Sequence, residues 1–309
     1  MKRSLFVTGS TGFIGSRLIQ KLNPAIFQAI YCLSRSHAPV SVPSSEYGPF
    51  HWVTGNVCEP DSYASILESC DTVIHLAGKT GKAAPDQYSQ VNARGTQILV
   101  EQCERSGLKN FLFVSTIAVK YRDKKHYYYA QSKERAEEIV KNSKLNYAIV
   151  RPTIVLGKRS SIWEALSKLA RKRILFMPGD GSTQIQPIYI EDLIDCLLTI
   201  LDDNLFQNQI FELGGPEIVT FEKFLKRIHY LYFGKEPRVV HLPLKPLLAL
   251  LSLAENQFHA ALPISAGQLS AFSNDGTIET NTVFQRHVSQ MKDIDQMLKE
   301  CIGDDKEFT

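Results

Sequence analysis

The chain has 309 residues, of which 44% are hydrophobic and 22% are charged. These are globular values, so they exclude disorder and low-complexity architecture, and the length predicts a principal domain of roughly 200 residues with an appended lobe. The 35 basic and 32 acidic side chains leave a net charge of +3. That charge is too small to indicate a nucleic-acid groove or an anionic membrane surface, so the composition favours a small ligand.

Cysteine spacing and apolar runs give no sign of a metal site, a disulfide framework or a membrane span. The six cysteines show no CxxC pair and no zinc-site spacing, so we interpret them as reduced thiols that mostly pack. The apolar run at Leu5 breaks at Thr8-Gly9, which leaves no signal peptide and predicts a cytoplasmic protein. The later apolar segment at residues 239–254 is shorter than the roughly 20 residues of a membrane span, and we expect a core or interfacial helix there.

Short apolar runs alternate with amphipathic stretches over the first two hundred residues. Strands that are buried on both faces read as continuous apolar runs, and their alternation with helices predicts a parallel sheet. The predicted strands are residues 5–8, 29–33, 50–53, 72–76, 111–115, 147–150 and, after a gap, 210–213. The predicted helices include residues 13–22, 93–106 and 132–142. The fold class is therefore α/β, a doubly wound parallel Rossmann sheet with a smaller, mostly C-terminal substrate lobe.

The first predicted strand runs into a glycine-rich turn that ends in a helix. The turn reads Thr8-Gly9-Ser10-Thr11-Gly12-Phe13-Ile14-Gly15. Glycines let backbone N–H groups approach a diphosphate, and the N-terminus of the helix presents a partial positive charge to it. A turn that serves packing alone is the alternative, but the position between strand and helix favours dinucleotide binding.

The second strand ends in Leu33-Ser34-Arg35-Ser36, about where a dinucleotide site contacts the adenine ribose. A carboxylate at this place binds the 2′-hydroxyl of NAD, whereas an arginine accepts the 2′-phosphate of NADP. Arg35 therefore favours NADP over NAD, with a solvated surface arginine as the alternative. Asn56, after the third strand, lies near the adenine in such a fold or is an ordinary turn residue.

Tyr129 and Lys133 are four residues apart, a spacing that places both on one face of a helix. A phenol that exchanges protons near neutral pH needs its pKa lowered by roughly 2–3 from about 10, and we expect Lys133 and a positively charged nicotinamide to lower it. Tyr121 and Lys125 share the spacing. They lie in a charged stretch without helical pattern, where we expect solvation instead.

A hydroxyl group is needed beside the phenol to polarise a substrate oxygen. Ser115 and Thr116 close the fifth predicted strand, at the sheet edge where ligands bind in open α/β folds. Thr116 is the candidate for this role. A hydroxyl that only ends the strand and caps the next turn is the alternative.

These stretches together resemble the short-chain dehydrogenase/reductase superfamily, in its extended, epimerase/dehydratase-like branch. The resemblance rests on residues 8–15, 71–78, 91–96, 113–116, 129–133, 151–152 and 211–216. It implies a catalytic triad of Thr116, Tyr129 and Lys133, in which the tyrosine transfers the proton and the lysine lowers the phenol pKa and contacts ribose. It also implies a set of cofactor contacts: Thr8, Gly9, Thr11, Gly12, Phe13, Ile14, Gly15, Arg35, Asn56, Val57, Leu76, Ala77, Gly78, Asn92, Ser115, Tyr129, Lys133, Arg151, Pro152 and Ile154.

Two later stretches, residues 181–192 and 263–269, resemble atypical members related to the complex I NAD(P)H-binding accessory subunit. Some proteins of that subgroup bind the cofactor without turnover. The 13-residue separation of Thr116 and Tyr129 is about half of that usual in sugar-nucleotide epimerases.

The domain boundary follows from a change of rhythm after Arg151-Pro152. Residues 1–152, completed by about 188–215, form the predicted NAD(P)-binding Rossmann domain. Residues 153–187 and 216–309 form the predicted substrate-binding lobe.

The leading interpretation is an NADP(H)-dependent oxidoreductase that moves a hydride to or from a carbonyl or carbinol carbon. Two alternatives stay open: a nucleotide-sugar epimerase or dehydratase with tightly bound cofactor, and a non-catalytic cofactor-binding assembly protein. The expected partners are a small-molecule substrate and, from the resemblance, a second copy in a homodimer. We expect no nucleic acid, no membrane span and no metal.

Overall fold

Strands and helices alternate along most of the chain, of which the computed structural model describes residues 3–35, 48–258, 265–279 and 290–303. The strands are β1 Arg3–Thr8, β2 Phe27–Ser34, β3 Phe50–Thr54, β4 Thr72–His75, β5 Asn110–Val114, β6 Asn146–Pro152, β7 Val155–Leu156, β8 Ile174–Pro178, β9 Gln184–Ile185, β10 Ile188–Tyr189, β11 Gln209–Leu213, β12 Val219–Thr220 and β13 Arg238–Leu242. The α-helices are α1 Phe13–Lys21, α2 Ala64–Leu67, α3 Pro85–Tyr88, α4 Gly95–Arg105, α5 Tyr128–Lys141, α6 Ser161–Ala170, α7 Ile190–Asp202, α8 Phe221–Phe233, α9 Leu244–Phe258, α10 Ala266–Ser270 and α11 Ile294–Ile302.

Seven strands form one sheet in the order β11-β6-β5-β4-β1-β2-β3. The neighbours from β3 through β6 pair in parallel. The chain reverses its direction of travel across the sheet between β3 and β4, so β1 and β4 flank the point where a doubly wound fold binds its ligand. The register pairs Thr8 with His75 and His75 with Phe113, so the carboxyl ends of β1, β4 and β5 are close to level. The predicted doubly wound Rossmann sheet is confirmed.

The strands of this sheet are apolar because helices cover both faces. Leu5, Phe6 and Val7 of β1 are fully buried, as are Phe111 and Phe113 of β5. Each such side chain contributes roughly 1.5–3 kcal/mol through burial, which explains why continuous apolar runs located the strands correctly. Each observed strand of the sheet contains the predicted range, except that the predicted strands 72–76 and 111–115 extend one residue too far.

The chain divides into two compact units. The first comprises residues 1–116, 129–151 and 194–211, and the second comprises residues 117–128, 152–193 and 212–309. The first unit contains most of the central sheet. Within its described residues, the second contains three two-stranded sheets, among which β8 and β13 pair in parallel.

The single helix expected at residues 239–254 is wrong, because the segment begins as a strand. β13 occupies Arg238–Leu242, and α9 follows at Leu244–Phe258. The β-branched Val239 and Val240 favour the extended backbone, and Pro243 separates the two elements. No helix within the described residues is long and apolar enough to cross a membrane.

Candidate active site

The glycine-rich turn places the ends of β1 and β4 and the start of α1 in close contact. Gly9 has a φ of 69°, and a Cβ atom there would lie 2.6 Å from the backbone nitrogen of Ala77. A Cβ atom on Gly15 would overlap the carbonyl oxygen of Gly9, closer still than the first contact. Both distances are shorter than real Cβ contacts, so the turn requires glycine at these two positions.

Helix α1 starts with its first N–H groups available to a ligand. Its N-cap is Gly12, which has no side chain to accept a hydrogen bond from the amides of the first turn. Thr11 is exposed beside it, and Phe13 and Ile14 are the first two helical residues. Unsatisfied N–H groups and the helix dipole together suit a diphosphate at this end.

A buried polar network connects the turn to the helices behind it. The Thr8 hydroxyl oxygen lies 2.6 Å from His75 Nδ1 and accepts a 3.2 Å hydrogen bond from the Ala77 N–H. His75 Nε2 lies 2.9 Å from the Thr96 hydroxyl, which donates to the carbonyl oxygen of Asn92 at 2.6 Å. Burial, with a smaller effect of a nearby lysine, lowers the pKa of His75 to about 3, so the ring is neutral.

Asn92 continues this network toward helix α5. It lies in the π-helical turn Ser89–Arg94, a conformation often found at functional sites. Its side-chain oxygen accepts from the N–H of Lys79 at 2.6 Å, and its amide nitrogen donates to the Lys79 carbonyl at 3.1 Å and to the Ser132 hydroxyl at 2.9 Å. The Ser132 hydroxyl donates to the carbonyl oxygen of Tyr129 at 2.7 Å. The Asn92 side chain therefore positions the start of α5.

Tyr129 and Thr116 meet at the carboxyl edge of the sheet. Helix α5 begins at Tyr128, early enough to include the tyrosine, and the Thr116 hydroxyl is hydrogen-bonded to its phenol. Burial raises the pKa of Tyr129 to about 12, and the neighbouring Tyr88, edge-on at 6.2 Å, adds to the rise while Thr116 opposes it. In the protein alone, the phenol therefore keeps its proton, and the expectation that Lys133 lowers its pKa is not met.

Lys133 lies one turn further along α5 and is 5% exposed. Its ammonium donates to the carbonyl oxygen of Val114 at 2.7 Å and lies 4.1 Å from the centroid of the Phe113 ring. Burial lowers the pKa of Lys133 to about 7, and the Glu137 carboxylate opposes that change. A lysine with this pKa changes charge easily when an anionic or cationic ligand binds nearby.

Glu137 is the centre of a buried ion-pair cluster on the next turn. It is 1% exposed and accepts hydrogen bonds from Arg151 Nε at 2.9 Å and Nη2 at 2.6 Å, with Lys141 Nζ at 3.2 Å. Arg151, Ser115 and Lys141 outweigh burial and lower the pKa of Glu137. Two of the donors of Arg151, an expected cofactor contact, thus bind Glu137 of α5. Ser115 is buried and interacts with the same carboxylate.

Three other expected cofactor residues lie at the ends of β2 and β3. Arg35 is exposed directly after β2. The side-chain oxygen of Asn56 accepts from the N–H of Cys58 at 3.1 Å, which is the turn role that the sequence left open. The Val57 side chain is buried in the hydrophobic core of the unit, so only its backbone remains to contact a ligand.

The remaining expected contacts lie at or just after the ends of β4 and β6. Leu76 and Ala77 are half-buried after β4, and a Cβ atom on Gly78 would lie 3.3 Å from the Asn92 side-chain oxygen. Pro152 and Ile154 belong to the second unit, where the Ile154 carbonyl accepts from the N–H of Ile188 at 2.9 Å.

The competing pair Tyr121 and Lys125 is not on a helix. Lys125 is exposed, as expected for a solvated loop. The solvated role expected for Tyr121 is wrong, because its ring is half-buried, stacks on Tyr127 at 6.3 Å, and has its pKa raised to about 12 by burial.

Of the stretch 263–269, residues 263 and 264 lie outside the described residues, and Ser265 and Gln268 form a capping box at the start of α10.

Similarity to characterised proteins covers the same part of the chain as this site. A family model described as the NAD dependent epimerase/dehydratase family matches residues 5–214. The chain is 25% identical over 320 residues to the mitochondrial NADH dehydrogenase [ubiquinone] 1 alpha subcomplex subunit 9 of Arabidopsis thaliana, covering 98% of this chain and 76% of that protein. It is 28% identical over 249 residues to the UDP-glucose 4-epimerase of Vibrio cholerae, covering 72% and 74%.

The fold is shared with solved structures as well. The crystal structure of dTDP-4-dehydrorhamnose reductase from Bacillus anthracis in complex with NADP superimposes with a TM-score of 0.67. The match covers 98% of this chain and 99% of that one at 18% identity, so it shows the common fold.

Proposed function

The chain belongs to the NAD dependent epimerase/dehydratase family, and from that premise we propose that it is an NADP(H)-dependent oxidoreductase of the short-chain dehydrogenase type. The first unit binds the cofactor, and the second holds the substrate. The observation that carries the proposal is the Tyr129 phenol, which is hydrogen-bonded to Thr116 and lies one turn from the buried Lys133. A proton donor, an oxygen-anchoring hydroxyl and a cation are thereby assembled at the carboxyl edge of a dinucleotide-binding sheet.

The protonated phenol suits the direction of carbonyl reduction. Tyr129 and Thr116 donate hydrogen bonds to the carbonyl oxygen, which orients the substrate and polarises its C=O bond. A reduced nicotinamide, when bound, supplies the hydride to the carbonyl carbon. Tyr129 gives its proton to the oxygen, so the carbonyl becomes a carbinol, and the charge of Lys133 stabilises the phenolate that remains.

The preference for NADP over NAD rests on Arg35. This exposed side chain follows β2, where a 2′-phosphate requires a cation, and the residues Leu33-Ser34 before it provide no carboxylate for a 2′-hydroxyl. Replacement of Arg35 by Ser tests this preference, because the variant should lose affinity for NADPH at least tenfold while its affinity for NADH changes little.

The test of the proposed function begins with the purified protein. Mass spectrometry of the small molecules that co-purify identifies the cofactor and a substrate candidate, and carbonyl compounds of that class are then assayed by NADPH oxidation. Tyr129→Phe should abolish turnover and leave NADPH affinity unchanged, whereas Tyr121→Phe, which changes a half-buried tyrosine of the other pair, should retain turnover. Full turnover in Tyr129→Phe would refute the mechanism.

The resemblance to the Vibrio epimerase supports a second candidate. In an epimerase or dehydratase the same Tyr129 removes a proton and returns it within one catalytic cycle, so no cofactor is consumed overall. Conversion of a nucleotide sugar without net consumption of NADP would favour it. The similarity to the NADH dehydrogenase subunit over almost the whole chain supports the third, a cofactor-binding assembly protein, which a stable protein complex without turnover would favour.

A further inference from the structure

The positive charge of the chain is concentrated in two segments of the second unit. Residues 161–178 and 217–242 contain nine Lys or Arg and four Asp or Glu, a net charge of +5, whereas the whole chain carries +3. The remainder of the chain is therefore slightly negative. A small overall charge does not exclude an anion-binding surface when the excess is local.

The two segments have the same design and lie side by side. Each consists of a helix, a turn and a strand. Arg171, Lys172 and Arg173 lie between α6 and β8, and Lys235 and Glu236 lie between α8 and β13, which begins at Arg238. The helices contact near their C-terminal ends, where His229 Nδ1 lies 2.7 Å from the carbonyl oxygen of Ala170. Arg171 also lies over the ring of Tyr232, with its guanidinium carbon 5.3 Å from the centroid.

The register of the two strands places the turns before them at one edge, together with the basic side chains around them. β8 and β13 are parallel, with Ile174 opposite Arg238, so the turns that precede them lie at the same edge. We call this edge the basic edge; its side chains, all exposed, are Lys168, Arg171, Lys172, Arg173, Lys235 and Arg238. The Glu236 carboxylate is the exposed acidic side chain of the two turns.

Two aromatic side chains project beside the basic edge. Tyr230 is 55% exposed and Phe233 is 46% exposed on the last turn of α8. Cations near helix C-termini are stabilised by the helix dipole, which accounts for some of the charges without any ligand. It does not account for a large apolar ring left in water, because such exposure forgoes the free energy of burial.

We propose that the basic edge docks on a bilayer containing anionic phospholipids. The lysines and arginines bind the phosphate groups, and Phe233 and Tyr230 enter the headgroup region, where aromatic rings with basic neighbours are favoured. Charge complementarity identifies the partner as anionic. The Phe233 ring favours lipid over nucleic acid, because the free energy of burying an apolar ring is most favourable where water is excluded. The attachment is peripheral and does not depend on the proposed oxidoreductase activity.

Co-sedimentation of the whole protein with vesicles tests this inference. We expect binding to phosphatidylcholine vesicles that contain 30% phosphatidylglycerol, weaker binding in 0.5 M salt, and none to pure phosphatidylcholine. The double variant Lys172→Gln/Arg173→Gln should bind at least tenfold more weakly, since each lost charge reduces affinity roughly fivefold. The control Arg105→Gln/Lys109→Gln removes two exposed charges from the first unit and should bind like the unchanged protein.

A second comparison isolates the apolar contribution. Phe233→Ser should weaken vesicle binding severalfold without changing the net charge, whereas Ile26→Ser, at an exposed apolar position of the first unit, should not. Circular dichroism establishes that each variant is folded. Equal binding to both vesicle types, equal loss in the control variants, or tighter binding to single-stranded RNA than to anionic vesicles at the same salt would overturn the proposal.

Discussion

Lys133 donates a 2.7 Å hydrogen bond to the carbonyl oxygen of Val114, the last residue of β5. Because Thr116 follows the same strand and Tyr129 precedes the lysine on α5, this bond joins the helix to the strand where the two candidate catalytic hydroxyls meet. The ammonium has little hydration at this position, and its burial lowers the pKa of Lys133 to about 7.

Replacement of Lys133 by Met should change how stability depends on pH. An unfolded lysine binds its proton up to a pH of about 10.4, whereas the folded one releases it near 7. Between these values the unfolded state binds more protons, so the contribution of Lys133 to the free energy of unfolding rises with pH by up to roughly 1.4 kcal/mol per pH unit. Urea unfolding at pH 7, 8 and 9 should show the unchanged protein gaining stability relative to Lys133→Met.

The exposed Lys144 provides the control for that experiment. Lys144→Met removes the same charge from the loop after α5 and should follow the unchanged protein at every pH. A constant difference between Lys133→Met and the unchanged protein from pH 7 to 9 would contradict the lowered pKa.

The sequence predicted those parts of the fold that depend on local patterns. Apolar runs located the seven sheet strands, because strands covered on both faces need apolar side chains at successive positions. The spacing of Tyr129 and Lys133 placed both on one helix, and the structure confirms that α5 includes both. Pro243, which follows Val239 and Val240, also indicates a break within residues 239–254. The prediction of a single helix followed the apolar content of the segment instead.

The parts that could not be predicted depend on partners that are distant in the sequence. The buried ring of His75, which burial keeps neutral, has hydrogen-bond contacts with Thr8 and Thr96, which lie 67 and 21 residues away. Glu137 and Arg151 form their ion pair only when α5 and β6 pack together. In the sequence alone, neither residue can be distinguished from an ordinary surface charge. Only the three-dimensional structure brings such polar groups into contact, since no periodic pattern encodes them.

His75 should make the protein sensitive to mild acid. Its folded pKa of about 3 lies below the ordinary value of about 6.5, so the unfolded state binds a proton that the folded state excludes. The contribution of His75 to the free energy of unfolding is fully present above pH 6.5. It falls by roughly 1.4 kcal/mol per pH unit as the pH decreases toward 4.5. His75→Gln should reduce this slope in urea unfolding, while His51→Gln, at an exposed ring, should leave it intact; equal slopes in all three proteins would count against the buried neutral ring.

The buried carboxylate of Glu137 should be one of the most stabilising charges of the first unit. Glu137→Gln leaves Arg151 with an uncompensated charge in a mostly buried place, at a cost of about 3–5 kcal/mol in the free energy of unfolding. The exposed pair of Lys21 and Asp195 serves as the comparison, because Asp195→Asn should cost less than about 1 kcal/mol. Adding Arg151→Gln to Glu137→Gln should restore part of the lost stability, because no unpaired charge then remains. If the costs of the two substitutions in the free energy of unfolding simply add, Glu137 and Arg151 do not stabilise each other and the prediction is wrong.

Gly15 provides the sharpest test of where a dinucleotide binds. Gly15→Ala places a methyl group against the Gly9 carbonyl, so either the turn or the start of α1 must move away from the position that receives a diphosphate. NADPH affinity, measured by fluorescence, should fall at least tenfold, about 1.4 kcal/mol. Gly107→Ala is the control, because Gly107 has a positive φ of 72° and lies after α4 with open space around it. That variant should lose roughly 1 kcal/mol of stability through backbone strain and keep its NADPH affinity. A folded Gly15→Ala protein that binds NADPH as tightly as the unchanged chain would show that the cofactor does not rest on this turn.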